Sequence, residues 1–158
     1  MEQPVLNAHN KAEYEPAHSA EHILNATMVK MFGCPRSRNA HVERKKSKCD
    51  YFLAECPTDE HIAGIEAEVN AVIDSALDVT VEYMPKSEAA SVVDLSKLPA
   101  DASDVLRIVR IGDYDACACI GAHVANTSEI GRFSIISHDF NEGVWRLRWK
   151  VAECSDKY

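Results

Sequence analysis

The chain has 158 residues, of which 46% are hydrophobic, and it carries a formal net charge of −8 at neutral pH. This length and hydrophobic content fit a single domain over residues 1–158, and no apolar run is long enough to span a bilayer. The acidic balance excludes a protein that coats nucleic acid non-specifically, so DNA is not expected as a partner.

The first residues have neither the basic start nor the apolar stretch of a secretory signal. A cytoplasmic location is therefore expected, with the six cysteines present as reduced thiols rather than disulfides. The ordered core is expected between about residues 17 and 150, after a polar lead-in.

The first predicted helix occupies residues 17–32, where apolar side chains recur at helical spacing. Gly33 and Pro35 are expected to end it, because glycine favours the helix C-terminus and proline cannot continue a helix. His18 and His22 then lie in its first turns and project from one face.

The middle of the chain alternates between extended and helical patterns. Residues 40–54 are predicted as two extended pieces, the first basic and the second apolar. Thr58 is a predicted helix N-cap, and an amphipathic helix is expected from there through Leu77. A strand is predicted over residues 79–84, followed by a helical turn and a loop over residues 87–98.

The last third of the chain is predicted to be mostly strand. Residues 105–111, 133–137 and 144–151 have strand patterns, and a hairpin turn at residues 141–143 joins the last two. Helices combined with mostly antiparallel strands predict an α+β fold, a mostly antiparallel sheet packed with helices.

Two residue pairs suggest a metal site. His18 and His22 have i, i+4 spacing, and so do Cys119 and His123; on a helix, the two side chains of such a pair project from one face. Three imidazoles and a thiolate form a ligand set that Zn²⁺ prefers. Either pair alone can arise by chance, and a histidine on an apolar helix face is often a core residue. Cys117 is an alternative to Cys119, which is preferred for its spacing from His123.

These motifs, with their surroundings, resemble the editing domain shared by alanyl- and threonyl-tRNA synthetases, which also exists as free-standing alanyl-tRNA editing proteins. The resemblance is carried by His18-Ser-Ala-Glu-His22-Ile-Leu and by Ala118-Cys119-x-Gly121-x-His123-Val-x-Asn-Thr127-Ser-Glu129-Ile-Gly131-x-Phe133. It implies an editing-domain fold and the deacylation of mischarged tRNA, namely tRNA for alanine that carries serine or glycine. It also implies zinc as cofactor, bound by His18, His22, Cys119 and His123.

The resemblance suggests further site residues. Glu21, between the two histidines, is a candidate to assist ester hydrolysis, although a charged residue in a first turn also interacts with the helix dipole. Thr27, Ile120 and Ala122 are candidates for the substrate pocket, and Thr27 has packing within the helix as its alternative. Ile120 and Ala122 stand where the family motif has glycine and threonine, which could change the amino acid accepted.

Basic residues cluster despite the acidic total. Arg36, Arg38, Arg44, Lys45 and Lys46 are candidates to bind the acceptor end of the tRNA. A second basic group follows near the end of the chain, comprising Arg146, Arg148 and Lys150. The alternative for both groups is an ordinary solvated surface.

Two other functions fit parts of the sequence. A non-catalytic domain could bind tRNA or a protein partner around a structural zinc, because four protein ligands close the coordination shell. His18-x-x-Glu21-His22 also matches an inverted zincin motif, with Glu66, Glu68 or Glu82 as the third ligand. That metallopeptidase interpretation leaves Cys119 and His123 without a role.

Overall fold

The computed structural model of the protein describes residues 14–37, 39–89, 91 and 104–152. Its helices are α1 (Glu15–Phe32), α2 (Asp59–Asp74) and the single turn α3 (Lys86–Ala89), with a 3₁₀ turn at Thr127–Glu129. Its strands are β1 (Asn39–His41), β2 (Ser47–Phe52), β3 (Val79–Pro85), β4 (Val105–Ile111), β5 (Asp115–Ala118), β6 (Phe133–Asn141) and β7 (Val144–Val151).

The strands form two antiparallel sheets. One has four strands in the order β1-β2-β7-β6, and the other has three in the order β3-β4-β5. The predicted α+β class, with mostly antiparallel strands packed against helices, is confirmed. None of the helices in these described ranges is long and apolar enough to cross a membrane.

The main core lies between the helices α1 and α2 and one face of the four-stranded sheet. Alternation along β7 turns Trp145, Leu147 and Trp149 inward, where all three are fully buried, and leaves the residues between them on the outer face. Tyr51 on β2 is buried beside them, and its hydroxyl donates a hydrogen bond of 2.7 Å to Asn25 on α1. The sheet and α1 therefore hold each other in register.

The first helix ends where the sequence predicts. Gly33 adopts a φ of +67°, and its N–H donates to the carbonyl of Val29 at 2.9 Å. A left-handed glycine of this kind terminates a helix at low conformational cost. The helix therefore presents His18 and His22 near its N-terminal end.

The second helix begins at its predicted cap and ends earlier than predicted. Thr58 accepts from the backbone N–H of His61, whose ring accepts from the N–H of Thr58 in return. The helix stops at Asp74 instead of continuing through Leu77, because Ala76 has a φ of +52° and the Leu77 N–H donates to the Thr127 hydroxyl oxygen. A tertiary hydrogen bond thus replaces the next helical one.

The segment carrying Cys119 and His123 is not helical. On a helix the two side chains would share one face, but β5 occupies Asp115–Ala118 and residues 119–124 form a loop. The β5 strand pairs with β4, so the chain enters the loop extended rather than coiled. The i, i+4 spacing of this pair therefore does not reflect a helix face.

Two smaller predictions can be compared with the described residues. The hairpin turn between β6 and β7 is confirmed, with Glu142 and Gly143 at φ values of 50° and 80°. The helical turn predicted from residue 87 corresponds to α3, whereas most of the predicted loop up to residue 98 lies outside the described residues.

Candidate metal centre

Four side chains from two distant segments meet at the N-terminal half of α1. His18 and His22 project from the helix, and Cys119 and His123 reach them from the loop after β5. One potential ligand atom from each residue lies within 4.8 Å of all the others. The Nε2 of His18 is 3.4 Å from the Sγ of Cys119, a separation that suits two ligands of one tetrahedral zinc ion.

The loop after β5 takes its shape from Arg107 on β4. The guanidinium of Arg107 donates to the carbonyls of Cys119 and Gly121 at 2.9 and 2.7 Å. The N–H of Cys119 donates to the carbonyl of Arg107 at 3.0 Å. These bonds satisfy loop carbonyls that a helix would have paired internally, and they direct the thiol and His123 towards α1.

Two histidines of the cluster have a hydrogen-bond partner at Nδ1, and the third has a carboxylate nearby. The Nδ1 of His18 donates to the carbonyl of Ala122 at 3.0 Å, which leaves Nε2 as the acceptor nitrogen. The Nδ1 of His123 lies 3.0 Å from the hydroxyl of Ser19, and the Nδ1 of His22 lies 3.6 Å from the carboxylate of Asp115. Outer partners of this kind orient metal-binding histidines.

Unsatisfied nitrogens support the same interpretation. The Nδ1 of His22, which lies 3.6 Å from the Asp115 carboxylate, is buried and has no hydrogen-bond partner in the described part of the chain, and the same holds for the Nε2 of His123. A buried nitrogen without a partner costs free energy unless something satisfies it, and a metal ion at the centre of the cluster would do so. The donor set, the separations and these nitrogens therefore fit zinc, which would be held by His18, His22, Cys119 and His123.

The charge state of Cys119 also favours a cation. Burial tends to raise the pKa of Cys119, but its interactions with the imidazoles of His123, His18 and His22 outweigh burial and lower the pKa to about 2. The N–H of Gly121 also lies 3.4 Å from the Sγ of Cys119. The thiolate is the form that binds metals.

The three imidazoles differ in basicity. Burial tends to lower the pKa of His18 and His22, but Cys119 raises it for the first, and Asp115 together with Cys119 raises it for the second. The pKa of His123 is lowered to about 4, because burial and the other two imidazoles disfavour its charge. His123 is therefore neutral at physiological pH, as metal binding requires.

Asp115 is held in place by Arg36. The guanidinium donates to both carboxylate oxygens, at 2.7 and 3.2 Å, and both side chains are largely buried. Burial tends to raise the pKa of Asp115, but His22 and Arg36 outweigh it and lower the pKa. Arg36 thus uses its charge in an ion pair within the protein, and its role in tRNA binding stays a prediction.

Glu21 lies beside the cluster. One carboxylate oxygen is 3.9 Å from the Nε2 of His18, and the other accepts a 3.4 Å hydrogen bond from Asn25. Its side chain is 15% exposed, so the carboxylate points along the helix towards the ligands rather than into open solvent.

The three predicted pocket residues differ in exposure. Thr27 is fully buried, donates to the carbonyl of Ile23 at 2.8 Å and lies 2.7 Å from the Tyr114 hydroxyl, which fits the alternative of packing within the helix. Ile120 and Ala122 are exposed on the ligand loop, next to the cluster. The substrate-pocket role of these two residues stays a prediction.

A cleft of about 670 Å³ adjoins the centre on its Asp115 side. It runs between the C-terminal half of α1 and the turn between β4 and β5, and Lys30, Arg36, Tyr114 and Asp115 are among its lining residues. The ammonium group of Lys30 lies 4.5 Å from the centre of the Tyr114 ring. The cleft is therefore polar at its floor and reaches the carboxylate that faces His22.

Sequence reasoning missed the residues around the ligands. Asp115, Ser19 and Arg107 were not predicted to contribute, yet each orients a ligand residue. One signal was available for Asp115, because Asp115 and Cys119 have the even spacing that places side chains on one side of an extended chain. No local pattern marks Ser19 or Arg107.

The predicted tRNA-binding residues are separated in the structure. Arg44, Lys45 and Lys46 lie exposed in the connection between β1 and β2, whereas Arg36 is paired near the centre. Arg38 lies outside the described residues. The guanidinium of Arg44 stacks 4.4 Å from the centre of the Tyr14 ring, immediately before α1.

Comparisons with known proteins identify relatives of this chain. Residues 106–148 match the family described as the threonyl and alanyl tRNA synthetase second additional domain. An alanine–tRNA ligase from Staphylothermus marinus is 35% identical over 159 residues, which cover 98% of this chain and 17% of the ligase.

Two further relatives give the same result. An alanine–tRNA ligase from Idiomarina loihiensis is 28% identical over 97% of this chain and 18% of the ligase. One from Fervidobacterium nodosum is 33% identical over 82% of this chain and 15% of the ligase. The chain thus spans less than a fifth of the length of these relatives.

Proposed function

The chain is a homologue of alanine–tRNA ligases and carries the second additional domain of threonyl- and alanyl-tRNA synthetases, and from this premise we propose that it deacylates mischarged tRNA. The substrate class is an aminoacyl ester of the terminal ribose, with serine or glycine on tRNA for alanine as the preferred members. The homology supports a tRNA-related role, and the reaction is our inference from the site.

The observation that carries the proposal is the convergence of His18, His22, Cys119 and His123 within 4.8 Å, with His18 and His123 hydrogen-bonded through their outer nitrogens. Zinc bound there would supply a positive charge to orient the aminoacyl group or the ribose. The protein residues around it would position the ester and a water molecule, since an aminoacyl ester is already activated.

Glu21 is our candidate for the group that handles the proton. Its carboxylate lies next to His18 and is oriented by Asn25. Attack by water forms a bond from the water oxygen to the ester carbonyl carbon, and a carboxylate can accept the proton that this water loses. Cleavage of the bond to the ribose oxygen then releases the amino acid, and the ribose oxygen takes a proton to leave uncharged tRNA.

Selection between amino acids is assigned to Ile120 and Ala122, which are exposed beside the ligands. The aminoacylation site of a synthetase cannot strongly reject an analogue of its amino acid that merely adds a hydroxyl. Binding alone gives about 10²-fold discrimination. A second site that hydrolyses the wrong ester multiplies that discrimination. In this proposal, the ligand loop contacts the side chain of the amino acid.

The test is release of amino acid from aminoacyl-tRNA by the purified, zinc-loaded protein. We expect rapid loss of serine from Ser-tRNA for alanine, little loss of alanine from Ala-tRNA, and little loss of either after chelation. Glu21→Gln should bind zinc normally and slow hydrolysis. Stable seryl and glycyl esters in the presence of zinc-loaded protein would refute the proposal.

A second candidate is a non-catalytic tRNA-binding domain with a structural zinc. The specific observation in its favour is that four protein ligands close the coordination shell of zinc. His18→Ala distinguishes the two, because retention of the fold with loss of deacylation indicates a catalytic centre and unfolding indicates a structural one.

The metallopeptidase interpretation receives no support from the site. Glu66 accepts from the N–H of Ile135, and Glu82 is paired with Arg110 on the second sheet. The candidate centre is completed by Cys119 and His123 instead.

A further inference from the structure

The outer face of the four-stranded sheet carries two rows of side chains with different charge balance. In one row, Arg146 on β7 lies between Asp50 on β2 and Asp139 on β6. Arg146 donates to both oxygens of Asp50, at 2.8 and 3.0 Å. Charges in this row alternate in sign, as is usual for a stable sheet surface.

The adjacent row places like charges side by side. Lys48 on β2 is directly opposite Arg148 on β7 and, on its other side, opposite His41 on β1. Like charges directly opposite each other destabilise a sheet, so this row costs stability. Arg148 bonds to Asp139 at 2.8 Å, whereas Lys48 forms no ion pair with any residue in the described ranges.

A groove of about 300 Å³ lies over this second row. Its cationic lining consists of Lys46, Lys48, Arg146 and Arg148, and Glu43 is its one acidic lining residue. The ion pairs of the two arginines hold their guanidinium groups in place, and the lysine ammonium groups remain available. On a chain of net charge −8, this groove is a local exception.

The connection that carries Lys46 also contacts the N-terminus of α1, the helix that carries two of the metal-ligand residues. Lys46 belongs to the connection in which Arg44 stacks on Tyr14, the residue that caps the N-terminus of α1. The N–H of His18 donates to the carbonyl of Tyr14, one helical turn away. A chain of direct contacts thus links the basic connection to the first metal-ligand residue.

We propose that Lys46, Lys48 and Arg148 bind phosphates of the tRNA acceptor arm, while the charged end of the same tRNA reaches the metal centre. This inference rests on the proposed function for its choice of RNA. Lysine and arginine contacts to phosphate supply affinity without reading sequence, and double-stranded RNA is bound largely through backbone and ribose contacts. The groove replaces the residues around Arg36 as the predicted phosphate-binding surface.

The experiment compares wild-type protein with the double variant Lys48→Gln/Arg148→Gln in binding to uncharged tRNA for alanine at 50–200 mM salt. We expect the double variant to bind about tenfold more weakly at the low-salt end. Its plot of log affinity against log salt should be shallower by about 1.8, because each lost phosphate contact removes about 0.9 from the slope. Lys86→Gln serves as the control. It removes a positive charge from α3, which follows a strand of the three-stranded sheet, and this variant should bind like wild type.

A gain-of-affinity variant separates loss of charge from loss of fold. Asp139→Asn removes the carboxylate next to Arg148, and its side chain is 58% exposed. We expect this variant to bind tRNA about threefold more tightly, which misfolding cannot produce. Wild-type affinity and salt slope in the double variant, or an equal loss in Lys86→Gln, would overturn the inference.

A minimal ester keeps this test separate from that of the proposed function. Seryl-adenosine contains the ester and no duplex, so the double variant should hydrolyse it at the wild-type rate while binding tRNA less tightly. Loss of tRNA affinity in a protein that hydrolyses no ester would retain the groove and reject the deacylase. Ester hydrolysis by a double variant whose tRNA affinity is unchanged would retain the deacylase and reject the groove.

Discussion

Arg36 and Asp115 form a bidentate ion pair, with bonds of 2.7 and 3.2 Å, that holds the carboxylate 3.6 Å from the Nδ1 of His22. The two residues are 79 positions apart in the chain, so only the tertiary fold brings them together. A carboxylate held in this way fixes the orientation of a metal-binding imidazole and increases its basicity. Arg36 therefore holds the carboxylate that faces His22.

We expect Asp115→Asn to weaken zinc affinity about 10- to 100-fold, because His22 loses a charged outer partner. Affinity is measured by competition with a chromophoric chelator, independently of catalysis. Asp113→Asn, an exposed change in the same turn, is the control and should leave affinity unchanged. Equal affinities for Asp115→Asn and wild type would show that His22 does not depend on this carboxylate.

Thr27→Val should reduce the free energy of unfolding by about 1 kcal/mol, because it removes the hydroxyl shared with Ile23 and Tyr114. Urea denaturation measures this change. The preference for seryl over alanyl ester should stay the same, since Thr27 is fully buried. A changed preference in a stably folded Thr27→Val protein would return this residue to the substrate pocket.

Ile120→Gly/Ala122→Thr should change the ratio of the rates with which seryl, glycyl and alanyl esters are hydrolysed. Both side chains are exposed on the ligand loop, and the hydrogen bond from His18 to residue 122 uses the backbone carbonyl rather than the side chain. Zinc affinity should therefore remain at the wild-type value. Rates are measured on the three esters in parallel, and an unaltered ratio would place amino-acid selection elsewhere.

The stability conferred by Asp50 should depend on pH. Hydrogen bonds from Arg146, aided by Asn39, lower the pKa of Asp50 from its ordinary value of 3.8 despite partial burial. The native state thus favours the carboxylate, so its contribution is complete above pH 3.8 and declines as pH falls through the lowered pKa. Urea denaturation of wild type and Asp50→Asn should give a stability difference that shrinks below about pH 4. A difference independent of pH would contradict this assignment.

Local sequence signals determined much of the secondary structure. Gly33 ends α1 because a left-handed residue there satisfies the last carbonyls, and Thr58 begins α2 because its hydroxyl satisfies a free N–H. The hairpin between β6 and β7 follows from residues 142–143 in the same way. These outcomes depend on groups a few positions apart, so a short window of sequence contains the cause.

The four predicted ligand residues also meet in the structure, but helical spacing explains only one of the two pairs. His18 and His22 share a helix face, as their spacing predicts. Cys119 and His123 are brought to them by an extended strand and a loop whose carbonyls bind Arg107. The sequence by itself therefore determined which residue types could bind a metal, and the long-range hydrogen bonds decided how the second pair is presented.

Tertiary structure alone decided what the charged residues do. Arg36 and Lys46 belong to one basic run, and nothing within that run distinguishes them. Folding places Arg36 against the buried Asp115, where desolvation makes an unpaired charge costly, and leaves Lys46 exposed on the outer face of the sheet. The role of a charge depends on its burial and its partner, and both are set by contacts between residues far apart in the chain.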